Sequence, residues 1–274
     1  MNIGHAIQSL RVFEAILIVL PTYNEAANVR SVVGRLCAAV PHADILVVDD
    51  NSPDGTGQIA DILSVEDQHV SVLHRAGKQG LGTAYLAGFR WGLDRGYDVL
   101  VEIDADGSHQ PEELPRLLAA LAQADVVLGS RWVPGGVVHN WPPTRWLLSC
   151  GGTIYARLAL GIPIKDATGG YRAIRASALE ALDLDTVASQ GYCFQIDVVR
   201  RAVERGLRVV EVPITFVERE HGHSKMSGAI VREALWRVIV WGVKHRVHRL
   251  RFRTTRGARA GSAAERAWGG RLRG

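Results

Sequence analysis

The chain is poor in cysteine: Cys37, Cys150 and Cys193 are the only three in 274 residues. They are far apart and odd in number, so they fit neither a zinc spacing nor a disulfide framework. Buried, reduced thiols of a cytosolic protein are the expectation. Long apolar runs are missing too. No uncharged stretch approaches the roughly 18–20 residues needed to span a bilayer, and the start of the chain lacks the apolar core of a secretory signal. No Gly-Lys-Ser/Thr follows the glycine turn, which excludes a Walker A loop. Gly80 and Gly82 lack the third glycine of a dinucleotide fingerprint. There is no internal repeat. Acid is scarce at one end: from Lys244 onward ten Lys/Arg face only Glu265, so a tail of +9 follows a body of −5.

What is present is alternation. Apolar strands are expected over Ala15–Leu20, Ile45–Val48, Val70–Leu73, Val99–Ile103 and Val126–Leu128. Helices are expected between them over Ala27–Ala39, Gly57–Leu63, Thr83–Leu93 and Pro111–Leu121. This order predicts an α/β fold, a mostly parallel sheet with helices on both faces. The later part is less regular. It predicts a helix over Pro143–Leu160, a polar turn over Asp166–Arg172, a helix over Phe194–Glu204 and an edge strand, Val209–Pro213, closed by its proline. Four segments follow: an N-terminal extension (1–13), a main α/β domain (14–228), an amphipathic helix (229–248) and a basic, disordered tail (249–274).

The polar clusters fall at the carboxyl ends of the expected strands, where open α/β sheets bind ligands. They are Pro21–Glu25, Asp49–Gly57, His74–Gly82, Asp104–Asp106 and Gly129–Arg131. Asp104-Ala-Asp106 is the most informative. Two carboxylates one residue apart at a strand end suit a hard divalent cation and the phosphates it carries. Lys78-Gln-Gly-Leu-Gly82 suits an anion or an ordinary turn. Asp50 is a candidate for a ribose or base edge, with Pro53-Asp-Gly55 as turn chemistry. Tyr23 and Glu25 either meet a base or cap the next helix. Arg131, Arg145, Arg172, Arg219 and Lys225 are cations at loop edges. Arg219–Lys225 reads as a phosphate clamp, and His221 and His223 are disfavoured as metal ligands.

Together these residues resemble the family-2, GT-A-fold (Rossmann-like) glycosyltransferases, and within them the dolichol- or polyprenol-phosphate mannose synthases. The resemblance covers about residues 14–228. Its carriers are Pro21–Glu25, Val48–Gly57, Gly80–Tyr85, Asp104–Asp106, Ser108–Pro111, Gly129–Arg131, Asp166–Arg172, Gly191–Gln195, Glu211–Phe216 and Ser224–Ser227.

The resemblance implies metal-dependent, inverting transfer of mannose from GDP-mannose to a polyprenyl or dolichyl phosphate. The alternatives are UDP-glucose-dependent glucosyl transfer to the same polyprenyl phosphate, and a nucleotide-sugar-binding protein without catalysis. The donor is expected on Pro21, Tyr23, Glu25, Asp50, Lys78, Asp104, Ala105, Asp106, Arg131, Arg219 and Lys225. The acceptor phosphate is expected on Arg131, Arg145 and Ser149. Mg²⁺ or Mn²⁺ is expected on Asp104, Asp106 and Ser108, where Ser108 replaces the glutamine of some relatives. Asp104, Asp106, Arg131, Asp197 and Arg219 form the candidate catalytic set, with Asp197 standing where relatives often carry Glu. The implied setting is the cytoplasmic face of a membrane. There the amphipathic helix and basic tail would meet lipid or a membrane-embedded partner. Nucleic acid is not expected, because no aromatic platform accompanies the tail.

Overall fold

The computed structural model describes residues 13, 15–184, 192–219 and 236–242. Its centre is a seven-stranded sheet. In chain order the elements are β1 (Ile16–Thr22), α1 (Val29–Ala39), β2 (Asp44–Asp49), α2 (Thr56–Glu66), β3 (Val70–His74), α3 (Leu81–Leu93) and β4 (Val99–Glu102). A tight turn at Pro111–Glu113 leads into α4 (Leu114–Ala120). Then come β5 (Val126–Ser130), β6 (Val137–His139), α5 (Pro143–Leu160), β7 (Arg172–Arg175), α6 (Ala176–Ala181), α7 (Tyr192–Glu204), β8 (Val209–Pro213) and β9 (Thr215–Val217). The sheet order is β3-β2-β1-β4-β7-β5-β8, and β6 pairs with β9 in a separate ribbon.

Strand β1 shows why the sheet is central. All seven of its residues are buried. Ile16, Ile18 and Leu20 pack on one face with Val29, Val32, Leu36, Leu114 and Leu117. Leu17 and Val19 pack on the other with Tyr85, Phe89, Phe194 and Val198. Successive strand residues point to opposite faces, so a continuous apolar run demands a layer on each side. Each fully buried aliphatic side chain contributes about 1.5–3 kcal/mol. Helix α3 lies so close to β1 that a Cβ at Gly88 would sit 2.4 Å from Val19 Cγ1.

The expected parallel sheet with helices on both faces is present, and Val209–Pro213 is its edge strand. One expectation is corrected. The polar turn does not run through Arg172, because Arg172–Arg175 forms β7, antiparallel to both β4 and β5 in the middle of the sheet. The small ribbon of β6 and β9 was not expected either. Of the thiols, all free, only Cys193 is buried; Cys37 and Cys150 are half-buried.

Of the amphipathic helix expected over 229–248, residues 236–242 are helical. The rest of it, the N-terminal extension before Phe13 and the basic tail lie outside the described residues. No helix among the described residues is long and apolar enough to cross a membrane.

Candidate active site

Strand β4 delivers the acidic pair. Ile103 and Ala105 are buried in the core on one side, which leaves Asp104 and Asp106 facing the carboxyl edge. Gly107 takes a φ of 76°. That left-handed step, open to glycine, turns the chain so that Ser108 N donates to Asp106 Oδ1 at 3.0 Å. The Tyr85 hydroxyl donates to Asp104 Oδ1 at 3.1 Å. Partial burial, and next the negative charge of Asp106, push the Asp104 carboxyl up to about 7. Burial also opposes ionisation of Asp106, but the Ser108 main-chain N–H and the charges of Arg219 and His109 outweigh it and hold that carboxyl below its usual range. Arg219 Nη2 lies 3.3 Å from Asp106 Oδ2.

This pair borders a cavity of about 490 Å³. Ser108, Arg131, Arg145, Ser149 and Arg219 share its lining, and Leu147, Leu148, Tyr155, Ile196, Phe216 and Val238 form an apolar wall. Arg145 pairs with Glu218 and lies 4.5 Å over the Trp141 ring. Arg131 is held more tightly. Its Nε and Nη2 each donate at 2.7 Å to the fully buried Asp166, and Nη2 also reaches Thr168 Oγ1 at 3.0 Å. Asp166 is kept ionised because these bonds and the Arg131 charge overcome its burial. Three of the cations expected at phosphates, Arg131, Arg145 and Arg219, therefore already have carboxylate partners.

The other expected donor residues occupy the neighbouring strand ends. Pro21 is buried in β1, and Thr22 lies opposite Asp49. Lys78 Nζ sits 4.2 Å over the Tyr23 ring. Asn28 Nδ2 donates to Glu25 Oε2 at 2.9 Å. Asp50 accepts from Arg75 and, at 3.2 Å, from Gln79 N. Arg75 also reaches Gln79 Oε1 and Thr83 Oγ1. Sequence reasoning missed Arg75, although a cation in the loop after β3 beside Lys78 was there to be weighed. Pro53–Gly55 is turn chemistry, as expected: Asp54 accepts from Ala26 N, Thr56 N and Thr56 Oγ1.

Asp104, Ala105 and Asp106 are thus at the sheet edge, with Ser108, Arg131, Arg145, Ser149 and Arg219 around one cavity. Asp197 is not among the residues lining that cavity; its carboxylate accepts from Arg200 and Arg201 of its own helix. Lys225, His221 and His223 lie outside the described residues. Two carboxylates whose like charges oppose each other, beside a buried Ser108 hydroxyl without a hydrogen-bond partner, fit a hard cation completed by phosphate or water oxygens. No group of three or more His, Cys, Asp or Glu suited to a metal occurs among the described residues. Substrate oxygens would therefore have to complete such a site.

Residues 17–183 match the glycosyl transferase family 2 profile. The undecaprenyl-phosphate mannosyltransferase of Micrococcus luteus is 58% identical over 87% of this chain and 98% of its own length. The polyprenol monophosphomannose synthase of Mycolicibacterium smegmatis is 56% identical over 89% of this chain and 92% of its own length. Among solved structures, the glucosyl-3-phosphoglycerate synthase of Mycobacterium tuberculosis, in complex with Mn²⁺, UDP-glucose and phosphoglyceric acid, has a TM-score of 0.64. It covers 88% of this chain and 84% of that one, and at 21% identity it speaks for the fold alone. The sheet, the acidic pair at its edge and these similarities agree: the chain belongs to glycosyl transferase family 2.

Proposed function

We propose that the chain transfers mannose from GDP-mannose to a polyprenyl monophosphate with inversion, releasing GDP and polyprenyl phosphate β-mannose. The observation that carries this reading is the 58% identity to a mannosyltransferase of that acceptor class over almost its whole length. The cavity supports it, since cations and carboxylates meet an apolar wall in one place, as a lipid phosphate requires.

Pro21, Tyr23, Glu25, Asp50 and Lys78 bind the nucleotide. Arg145 and Ser149 hold the acceptor phosphate, and Arg131 and Arg219 lie between the two ends. Asp104, Asp106 and Ser108 would hold Mg²⁺ or Mn²⁺, which supplies charge neutralisation at the departing diphosphate. The acceptor phosphate is already anionic near neutral pH, so no strong base is needed. One of its oxygens forms the bond to the anomeric carbon while the bond to the diphosphate breaks and its electron pair leaves with GDP. The difficulty is bringing two anions together, and positioned cations reduce it. Asp197 acts through its helix in this scheme, and Lys225 as part of the clamp that begins at Arg219.

The reaction belongs at a membrane surface, on its cytoplasmic face. Helix α5 exposes Leu147 (63%) and Leu158 (73%), and the stretch 236–242 exposes Trp236 (67%). Leu147 and Leu148 also line the cavity, so its apolar wall runs out onto the exposed face. The ten cations from Lys244 onward would add attraction to anionic lipid of about 1 kcal/mol each near the surface.

The decisive measurement is radiolabel transfer to a polyprenyl phosphate by the purified protein. Label moves from GDP-mannose and requires Mg²⁺ or Mn²⁺. No transfer, or transfer from UDP-glucose instead, overturns the reading. Flotation with liposomes should recover the protein in proportion to anionic lipid; indifference to lipid charge would favour a membrane-embedded protein partner.

A further inference from the structure

Behind the acidic pair lies a buried polar cluster that the proposed chemistry does not use. Arg172, at the start of β7, is fully buried, and so is Glu102, its register partner on β4. Their closest approach is 3.8 Å, between Arg172 Nε and Glu102 Oε2. The guanidinium spends its donors on main-chain carbonyls: Nε to Gly169 O at 2.9 Å, Nη2 to Ala167 O at 3.0 Å and Nη1 to Gln195 O at 3.0 Å. Two of these acceptors are in the turn just upstream of β7, and the third is in the first turns of α7. Burying a cation is costly unless it is paired and hydrogen-bonded. The Glu102 carboxyl lies beside it, and burial pushes that carboxyl above its usual range; the three main-chain bonds therefore carry most of the compensation for the buried cation.

That turn is part of the site. Thr168, Gly169 and Gly170 line the cavity, and Thr168 supports Arg131. A Cβ on Gly170 would sit 3.4 Å from Asp104 Oδ2. The same guanidinium therefore ties together the turn facing Asp104 and the helix that contributes Ile196 to the cavity wall.

We propose that Arg172 is a positioning residue for transfer. It sets the spacing between the 167–170 turn and the Asp104 carboxylate, and that spacing sets turnover. The residues expected to bind the nucleotide, Tyr23, Glu25, Asp50 and Lys78, belong to the ends of β1, β2 and β3 and make none of these contacts. Disturbing Arg172 should therefore slow the reaction and leave donor binding alone. A purely architectural role would lower the folded fraction, leaving the turnover of each folded molecule intact.

The inference rests on the mannosyltransferase reading only for the choice of assay. Wild-type transfer tests that reading, and the variants are compared with wild type on whichever sugar nucleotide it uses. For Arg172→Lys, which keeps the charge and loses the fork of donors, kcat per folded molecule should fall at least about thirtyfold. Donor KM should change less than about threefold, since displacements near 1 Å at a reacting centre cost up to about a hundredfold. Gly170→Val leaves the Arg172 bonds in place and puts a branched side chain where a Cβ alone already reaches contact distance, 3.4 Å, from Asp104 Oδ2. It should show the same split with near-native melting, and it carries the test if Arg172→Lys does not fold. A kcat within about twofold of wild type in either folded variant, or a loss matched by a rise in donor KM, overturns the proposal.

Discussion

On the β1–β3 side of the sheet edge, Asp49 accepts from Thr22 and Ser52, Asp50 from Arg75 and Gln79, Glu25 from Asn28, and Asp54 from Ala26 and Thr56. On the β4–β8 side, two carboxylates stand one residue apart, and the Ser108 hydroxyl, His109 Nδ1 and Trp141 Nε1 are buried without hydrogen-bond partners. Burial pushes the His109 imidazole down to about 4, so its ring is neutral at physiological pH. The first side is a finished frame, suited to holding a ligand by shape. The second keeps valence open for something that arrives. Interactions equal in ground and transition states lower KM without raising kcat; in the proposed reaction the first side would supply these and the second those made only in the transition state.

Substitutions on the two sides sharpen that division. Asp106→Ala should lower kcat at least about a thousandfold, the scale of losing a group aimed at developing charge, with donor KM little changed. Near-normal turnover with added Mg²⁺ or Mn²⁺ would refute its role. Asp50→Ala should raise donor KM about tenfold, or about 1.4 kcal/mol, and leave kcat within a few-fold. Equal kcat losses in both variants would break the comparison.

The smallest effect is on stability. In the cation-free protein Asp104 titrates near 7, against about 4 in an unfolded chain. The native state therefore holds an extra proton between those values, and this contribution to stability is lost as pH rises through 7. With chelator present, Asp104→Asn should melt a few degrees above wild type at pH 8, and the gap should narrow toward pH 5. A constant gap across that range would show that burial and the Asp106 charge do not raise the Asp104 carboxyl.

The first side was also the more legible in the sequence. Its strands are unbroken apolar runs such as Ile45–Val48, its helices have clear periodicity, and its loops fall where the α/β rule puts them. Asp104 and Asp106 were readable for the same reason. The second side hides its central element. Arg172-Ala-Ile-Arg175 is short, starts and ends on cations, and follows Gly169-Gly170, so local pattern reads a turn. Its strand state depends on pairing with β4 and β5, where Arg172 faces Glu102 seventy residues upstream, and no window contains both. The engagement of Asp197 could have been seen, since Arg200 and Arg201 stand three and four residues along the same helix. The clamp of Arg131 on Asp166 is another long-range pair, invisible until β5 and β7 lie side by side.

Strand β7 runs against its neighbours, so it brings its beginning to the edge where β4 and β5 finish. The floor of the crevice is thus continuous on its downstream side with a central strand of the sheet. On its upstream side it is joined to α5 by the short link 161–165. Trp146 and Leu158, exposed on that helix, therefore stand one short link from the turn that faces Asp104.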